Sequence, residues 1–79
     1  MRIDKFLKVS RIIKRRTLAN EACAKERVTI NGRVAKPGSE VKVGDIIEIR
    51  FGEKITRLKV LKVTEHVKKE ESMEMYEIL

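Results

Sequence analysis

The sequence predicts an α+β fold, two short packed helices followed by a small twisted antiparallel β-sheet. Three observations predict it. Apolar residues recur at helical spacing through the first third of the chain, and from Val28 onward they alternate with polar ones. The alternating part is punctuated by Asn31–Gly32, Pro37–Gly38 and Gly44–Asp45, pairs that turn a chain sharply. The 79 residues suit one domain. A chain of that size buries only about 60% of the surface its unfolded form exposes, so the core is expected to be small.

The first helix is expected over residues 3–13. Ile3, Phe6, Leu7 and Ile13 share one side, and Lys5, Lys8 and Arg11 step round the other. Val9 and Ile12 lie between, and Asp4 suits the positive end of the helix dipole. The second helix is expected to begin at Thr17 as N-cap. Asn20 stands where a capping box wants Glu or Gln, so that signal is partial. Leu18, Ala19, Ala22 and Cys23 form its expected buried stripe, with small residues that allow close approach to the first helix.

The period then changes from helical to alternating. Val28 and Ile30 alternate with Arg27 and Thr29, and Asn31–Gly32 predicts a two-residue type I′ hairpin, which needs positive φ at both positions. A short return strand, Arg33 to Ala35, ends at Pro37–Gly38. Gly44–Asp45 leads into a strand with Ile47, Ile49 and Phe51 on one face. Residues 55–65 supply another, with Leu58 and Val60 in one phase and Leu61 and Val63 in the next, a slip that predicts a bulge. Residues 68–74, "KKEESME", read as a solvated linker, and the apolar "MYEIL" is expected to dock as a short helix or a strand. The domain is therefore expected over 1–66, with 67–79 a charged linker and short apolar C-terminal segment.

Charge directs the functional reading. The net charge is +7, and residues 1–36 carry eleven Lys or Arg against Asp4, Glu21 and Glu26. Residues 37–79 carry eight against nine Asp or Glu, so the whole excess lies in the first half. A nearly single-signed region implies a localised polyanion-binding face, because a merely solvated face mixes signs. Its centre is "KVSRIIKRRT", residues 8–17. Lys14, Arg15 and Arg16 precede the second helix, whose free N–H groups and dipole suit a phosphate. Lys5, Lys8 and Arg11 extend the track along the first helix, and Arg27 and Arg33 flank the Asn-Gly hairpin. With Lys36 added, the candidate phosphate-contacting set is Lys5, Lys8, Arg11, Lys14, Arg15, Arg16, Arg27, Arg33 and Lys36. Phe6, Phe51 and Tyr76 are the only aromatics, and no pair of them can stack bases from one strand. Shape and phosphates of a folded RNA are the expected target, although charge alone also allows DNA.

"RIDKFL", "KRRTLANEAC" and "RVTINGRV…PGSEVKVGDIIEI" together resemble the ribosomal-protein-S-four-type RNA-binding domain, in order and at spacing, over residues 1–51. The whole chain looks most like free-standing members of that family. Such a resemblance implies ribosomal RNA of the large subunit and peptidyl-tRNA as partners. It further implies a place on the large ribosomal subunit in ribosome quality control, alongside a nascent-chain tailing factor. In this picture Lys14, Arg15 and Arg16 hold one RNA, and Arg2, Lys5 and Arg11 face the other. The chain departs from the family pattern at two positions. Glu26 stands where the family pattern has a glycine after its second helix, and Asn20 stands where relatives often carry a basic residue.

The expected protein is not an enzyme and takes no cofactor or metal. His66 is the only histidine, no His/Cys cluster has metal spacing, and no Walker-type glycine loop is present. Cys23 is the only cysteine and is expected to be a small core residue in a reduced, cytoplasmic, monomeric protein. Glu70, Glu71, Glu74 and Glu77 read as a solvated acidic patch. The apolar runs are too short for a membrane span, and charge interrupts any signal sequence. The rival reading is a general polyanion or membrane-surface binder that uses the basic amphipathic first helix.

Overall fold

The computed structural model describes residues 1–79 as two α-helices, five strands and one 3-10 helix. Helix α1 spans Ile3–Val9 and α2 spans Arg16–Ala24. Strands β1 (Val28–Ile30), β2 (Arg33–Val34), β3 (Ile46–Phe51) and β4 (Lys54–Val60) follow, then the 3-10 helix Lys69–Met75 and β5 (Tyr76–Ile78). The strands form one antiparallel sheet in the order β2-β1-β3-β4-β5.

Helix α1 is shorter than its periodicity predicts. After the Ser10 cap, Arg11 enters the left-handed region at φ 64°. Its N–H donates to the Lys8 carbonyl at 3.0 Å, and the Ile13 N–H donates to the Leu7 carbonyl at 3.0 Å. These bonds satisfy carbonyls that the helix end leaves open. Ile13 therefore reaches the core from a turn, not from a helical face. Helix α2 begins at Arg16 with Arg15 in the N-cap position, so Thr17 lies in the first turn and does not cap. No side chain caps this N-terminus. Ala19, Ala22 and Cys23 are buried as expected, but Leu18 is 49% exposed because it sits on the flank beside Phe51, outside the α1 contact.

The second helix ends in a Schellman motif. The Glu26 N–H donates to the Cys23 carbonyl and the Arg27 N–H to the Ala22 carbonyl, both at 3.0 Å, with Glu26 at φ 61°. A side chain there is strained where glycine is not. Glu26→Gly is therefore expected to stabilise the domain by up to about 1 kcal/mol. Thermal unfolding should show a rise of several degrees, and a fall would mean that the Glu26 side chain contributes more than its strain costs.

In the sheet, Asn31 and Gly32 take φ 52° and 82°, the type I′ pattern. The Asn31 side chain also ties this hairpin to the next turn. Its Nδ2 donates to Asp45 Oδ1 at 3.0 Å, and its Oδ1 accepts from the Ile46 N–H at 2.9 Å. Val28 lies opposite Ile49, and Ile47 opposite Leu58, all four fully buried. On the outer face Glu48 lies opposite Arg57 and pairs with it at 3.6 Å. Strand β2 covers only Arg33–Val34, with Ala35 buried just beyond it. Phe51 has the parity of Ile47 and Ile49 but sits at the β3 end beyond the core, 46% exposed.

Two expectations for the C-terminal third are corrected. Strand β4 stops at Val60, so no bulge carries it to residue 65, and Leu61 is exposed. Residues 69–75 are not a solvated linker. They wind into the 3-10 helix and bury Ser72 and Met75, and the Met75 carbonyl accepts from the Leu61 N–H at 2.8 Å. "MYEIL" docks as strand β5 against β4, with Tyr76 opposite Val60. One core joins Ile3, Phe6 and Leu7 of α1, the α2 stripe, the central strands and Met75.

Candidate nucleic-acid interface

The N-terminus of α1 is held by the 39–41 segment. The Ile3 N–H donates to the Ser39 carbonyl at 2.7 Å and the Val41 N–H to the Met1 carbonyl at 2.8 Å, with Arg2 opposite Glu40 between them. This anchors Arg2 beside the start of α2. Asp4 does more than face the helix dipole: it lies between the two helices and is 2% exposed. Its Oδ2 accepts from Arg2 Nη2 at 3.2 Å and from Asn20 Nδ2 at 3.4 Å. Its Oδ1 accepts from the Lys5 N–H at 2.8 Å and lies 3.5 Å from Arg16 Nη2.

A buried carboxylate is tolerable only when it is paired and hydrogen-bonded, and here both conditions hold. Burial pushes the Asp4 carboxyl up. The Asn20 amide, the Arg16 and Arg2 guanidiniums and the Lys5 N–H outweigh it and hold the group below its ordinary value of 3.8. Asp4 stays ionised and fixes one end of each arginine, whose side chains remain about half exposed, at 54% and 48%. The two guanidiniums keep donors free for an outside anion in a defined orientation. Asn20, the departure from the family pattern, thus takes part in the network on its own helix.

The structure groups the predicted cations differently from the sequence reading. Arg2 and Arg16 meet at Asp4, and with Lys5 they border one hollow of about 510 Å³. Lys8, Arg11 and Lys14 line a different cleft of about 660 Å³. Glu65 borders both and bonds Lys5 at 3.3 Å, so a Lys5–Glu65 ridge stands between them. Arg15 occupies the N-cap of α2 and is exposed. Arg27 lies apart, with Arg50 and Phe51. Arg33 is exposed on the edge strand β2, and Lys36 is exposed in the turn that its N–H closes on Ser39 Oγ at 2.9 Å.

Sequence reasoning missed Asp4 as an anchor, and it missed His66 and Lys69 in the second cleft. For Asp4 a signal exists: Arg16 and Asn20 are four apart on one face of α2. For His66 and Lys69 there is none, because their position depends on where the C-terminal segment docks. Cys23 is buried, and burial, with the Asp4 charge nearby, pushes its thiol up to about 11. It carries no thiolate at neutral pH and is a packing residue.

The S4 domain family matches residues 1–47. Over 78 residues the chain is 56% identical to the RQC P-site tRNA stabilizing factor of Halalkalibacterium halodurans, covering 99% of this chain and 89% of that one. Over 79 residues it is 53% identical to the Bacillus subtilis protein of the same name, covering 100% and 92%. The fold is similar to trimeric Heat Shock Protein 15 of Vibrio cholerae, with a TM-score of 0.91 and 29% identity over 100% of this chain and 81% of that one. The chain belongs to the S4 domain family, among the RQC P-site tRNA stabilizing factors.

Proposed function

We propose that the protein is a non-catalytic RNA clamp of the large ribosomal subunit. In this reading it holds peptidyl-tRNA in place on an obstructed subunit, in the cytoplasm and as a single copy, while a nascent-chain tailing factor acts. The observation that carries the reading is the division of one basic face into two sites by the Lys5–Glu65 ridge. Two cationic sites side by side fit two RNA strands at once. Such a protein acts by occupancy, adding binding free energy to one arrangement of its partners. The names of the relatives, which speak of tRNA stabilisation at the P site, support the same reading.

The membrane-surface alternative requires the apolar side of α1 to be available to lipid. Ile3, Phe6 and Leu7 are fully buried in the core, which removes that face. Phosphate contacts make RNA binding salt-dependent through counterion release. With about six contacts, log affinity for structured RNA should fall against log salt with a slope of roughly −4 to −6. Titration of labelled tRNA at several salt concentrations measures this, and a nearly flat dependence would overturn the clamp.

A further inference from the structure

We infer that the C-terminal segment builds one wall of the second site, where Lys69 and His66 bind a phosphodiester stretch of RNA together with Lys8, Arg11 and Lys14. This rests on the RNA-binding reading and adds to it a surface from outside residues 1–47, the part matched by the S4 domain.

The cleft lies between the end of α1 and the chain that leaves β4. Four of its side chains are Lys or Arg, and none of them takes part in any of the molecule's six ion pairs. The contrast with the first site is chemical. There Arg2 and Arg16 already share an internal carboxylate, whereas here Lys8, Arg11, Lys14 and Lys69 face one space without one. The single carboxylate on the rim, Glu65, is held by Lys5 at 3.3 Å. Like charges gathered round one cleft repel each other, and an anion of matching shape relieves that repulsion. His66 adds a ring nitrogen that donates to a phosphate oxygen when it carries a proton.

Two structural features hold the walls in place. At the turn that ends α1, Arg11 takes φ 64° and its N–H donates to the Lys8 carbonyl at 3.0 Å, while the Ile13 N–H donates to the carbonyl of buried Leu7 at 3.0 Å. On the other side, Lys69 begins the 3-10 helix whose far end is Met75, fully buried. The segment therefore stands as a wall fixed by the core. A cleft of about 660 Å³ between fixed walls has room for a run of backbone phosphates.

The test compares the whole protein with the variants Lys69→Ala and His66→Ala/Lys69→Ala in two arms, deacylated tRNA and purified large ribosomal subunits. Both residues are exposed, so their removal should leave the melting temperature unchanged. Affinity should fall several-fold in at least one arm, and the arm that responds identifies the RNA concerned. In that arm the salt slope should become shallower by about 1 for Lys69. Lys69→Arg should bind like the unmodified protein, and Lys54→Ala, which removes a charge far from the cleft in sequence, should change nothing. If the double variant binds normally in both arms while Arg16→Ala binds weakly, the second wall is wrong and the clamp reading stands. Equal weakening by Lys54→Ala would reduce the effect to net charge and overturn the site. If Arg16→Ala and the double variant both bind normally, the RNA reading itself fails, and this inference with it.

Discussion

Met75→Ala is expected to destabilise the domain by about 2–5 kcal/mol, the usual cost of emptying a fully buried long side chain. Met75 has no exposed surface, and its carbonyl receives the N–H groups of Leu61 and Lys62 at 2.8 and 3.3 Å. It joins the 3-10 helix to β5 and so fastens the C-terminal segment to the sheet. For a domain of this size 1 kcal/mol corresponds to roughly 4–8 °C, so thermal unfolding followed by circular dichroism should show a fall of about 10 °C or more. A fall of under about 3 °C would mean that the segment is not part of the cooperative unit.

Asp4→Asn is expected to damage stability and RNA binding together. The substitution keeps the shape and removes the charge, leaving an amide among donors from Arg2, Arg16, Asn20 and Lys5. The expected cost is about 1–3 kcal/mol, the scale of an unmet buried hydrogen-bonding group. The same change frees Arg2 and Arg16 to wander, so RNA affinity should fall although neither arginine has been altered. The pH dependence follows from the depressed carboxyl. A group whose folded-state value lies below its unfolded one stabilises the fold above the unfolded value and loses that contribution as pH falls through the folded one. Stability of the unmodified protein should therefore decline as pH drops below 3.8, and the Asp4→Asn variant should lack that component. An Asp4→Asn protein with unchanged affinity would show that the arginines need no internal anchor.

Those two residues also mark the boundary of what sequence reasoning can reach. The hairpin at Asn31–Gly32 and the alternation of Val28, Ile47 and Ile49 are local signals, and the sheet follows from them. The α2 stripe was legible for Ala19, Ala22 and Cys23, since a period of 3.6 identifies a face. It was not legible for Leu18, because periodicity does not say where the neighbouring helix ends. The end of α1 was hidden for a different reason. Arginine has no preference for the left-handed conformation, so nothing local announces the turn at Arg11. Residues 69–75 look solvated because four of the seven are charged, yet Ser72 and Met75 alone suffice to dock them.

The basic character of the interface was readable from charge distribution alone, but its division into two sites was not. Neighbours in sequence were expected to share a partner, as in Lys14, Arg15 and Arg16. The turn between the helices separates them instead, sending Lys14 towards Lys8 and Arg11, and Arg16 towards Arg2. Pairing across α1 and α2 depends on tertiary packing, which periodicity does not encode.

Sedimentation of tagged protein from cells tests the central claim most directly, with the unmodified chain and the Arg16→Glu variant run side by side. Arg16→Glu places a carboxylate next to Asp4 and against the incoming phosphates, so it reverses the first site without touching the second. The clamp predicts that the unmodified protein migrates with free large subunits, more strongly when they retain peptidyl-tRNA, and that the variant leaves them. Migration with small subunits, with intact translating ribosomes or at the top of the gradient would contradict it.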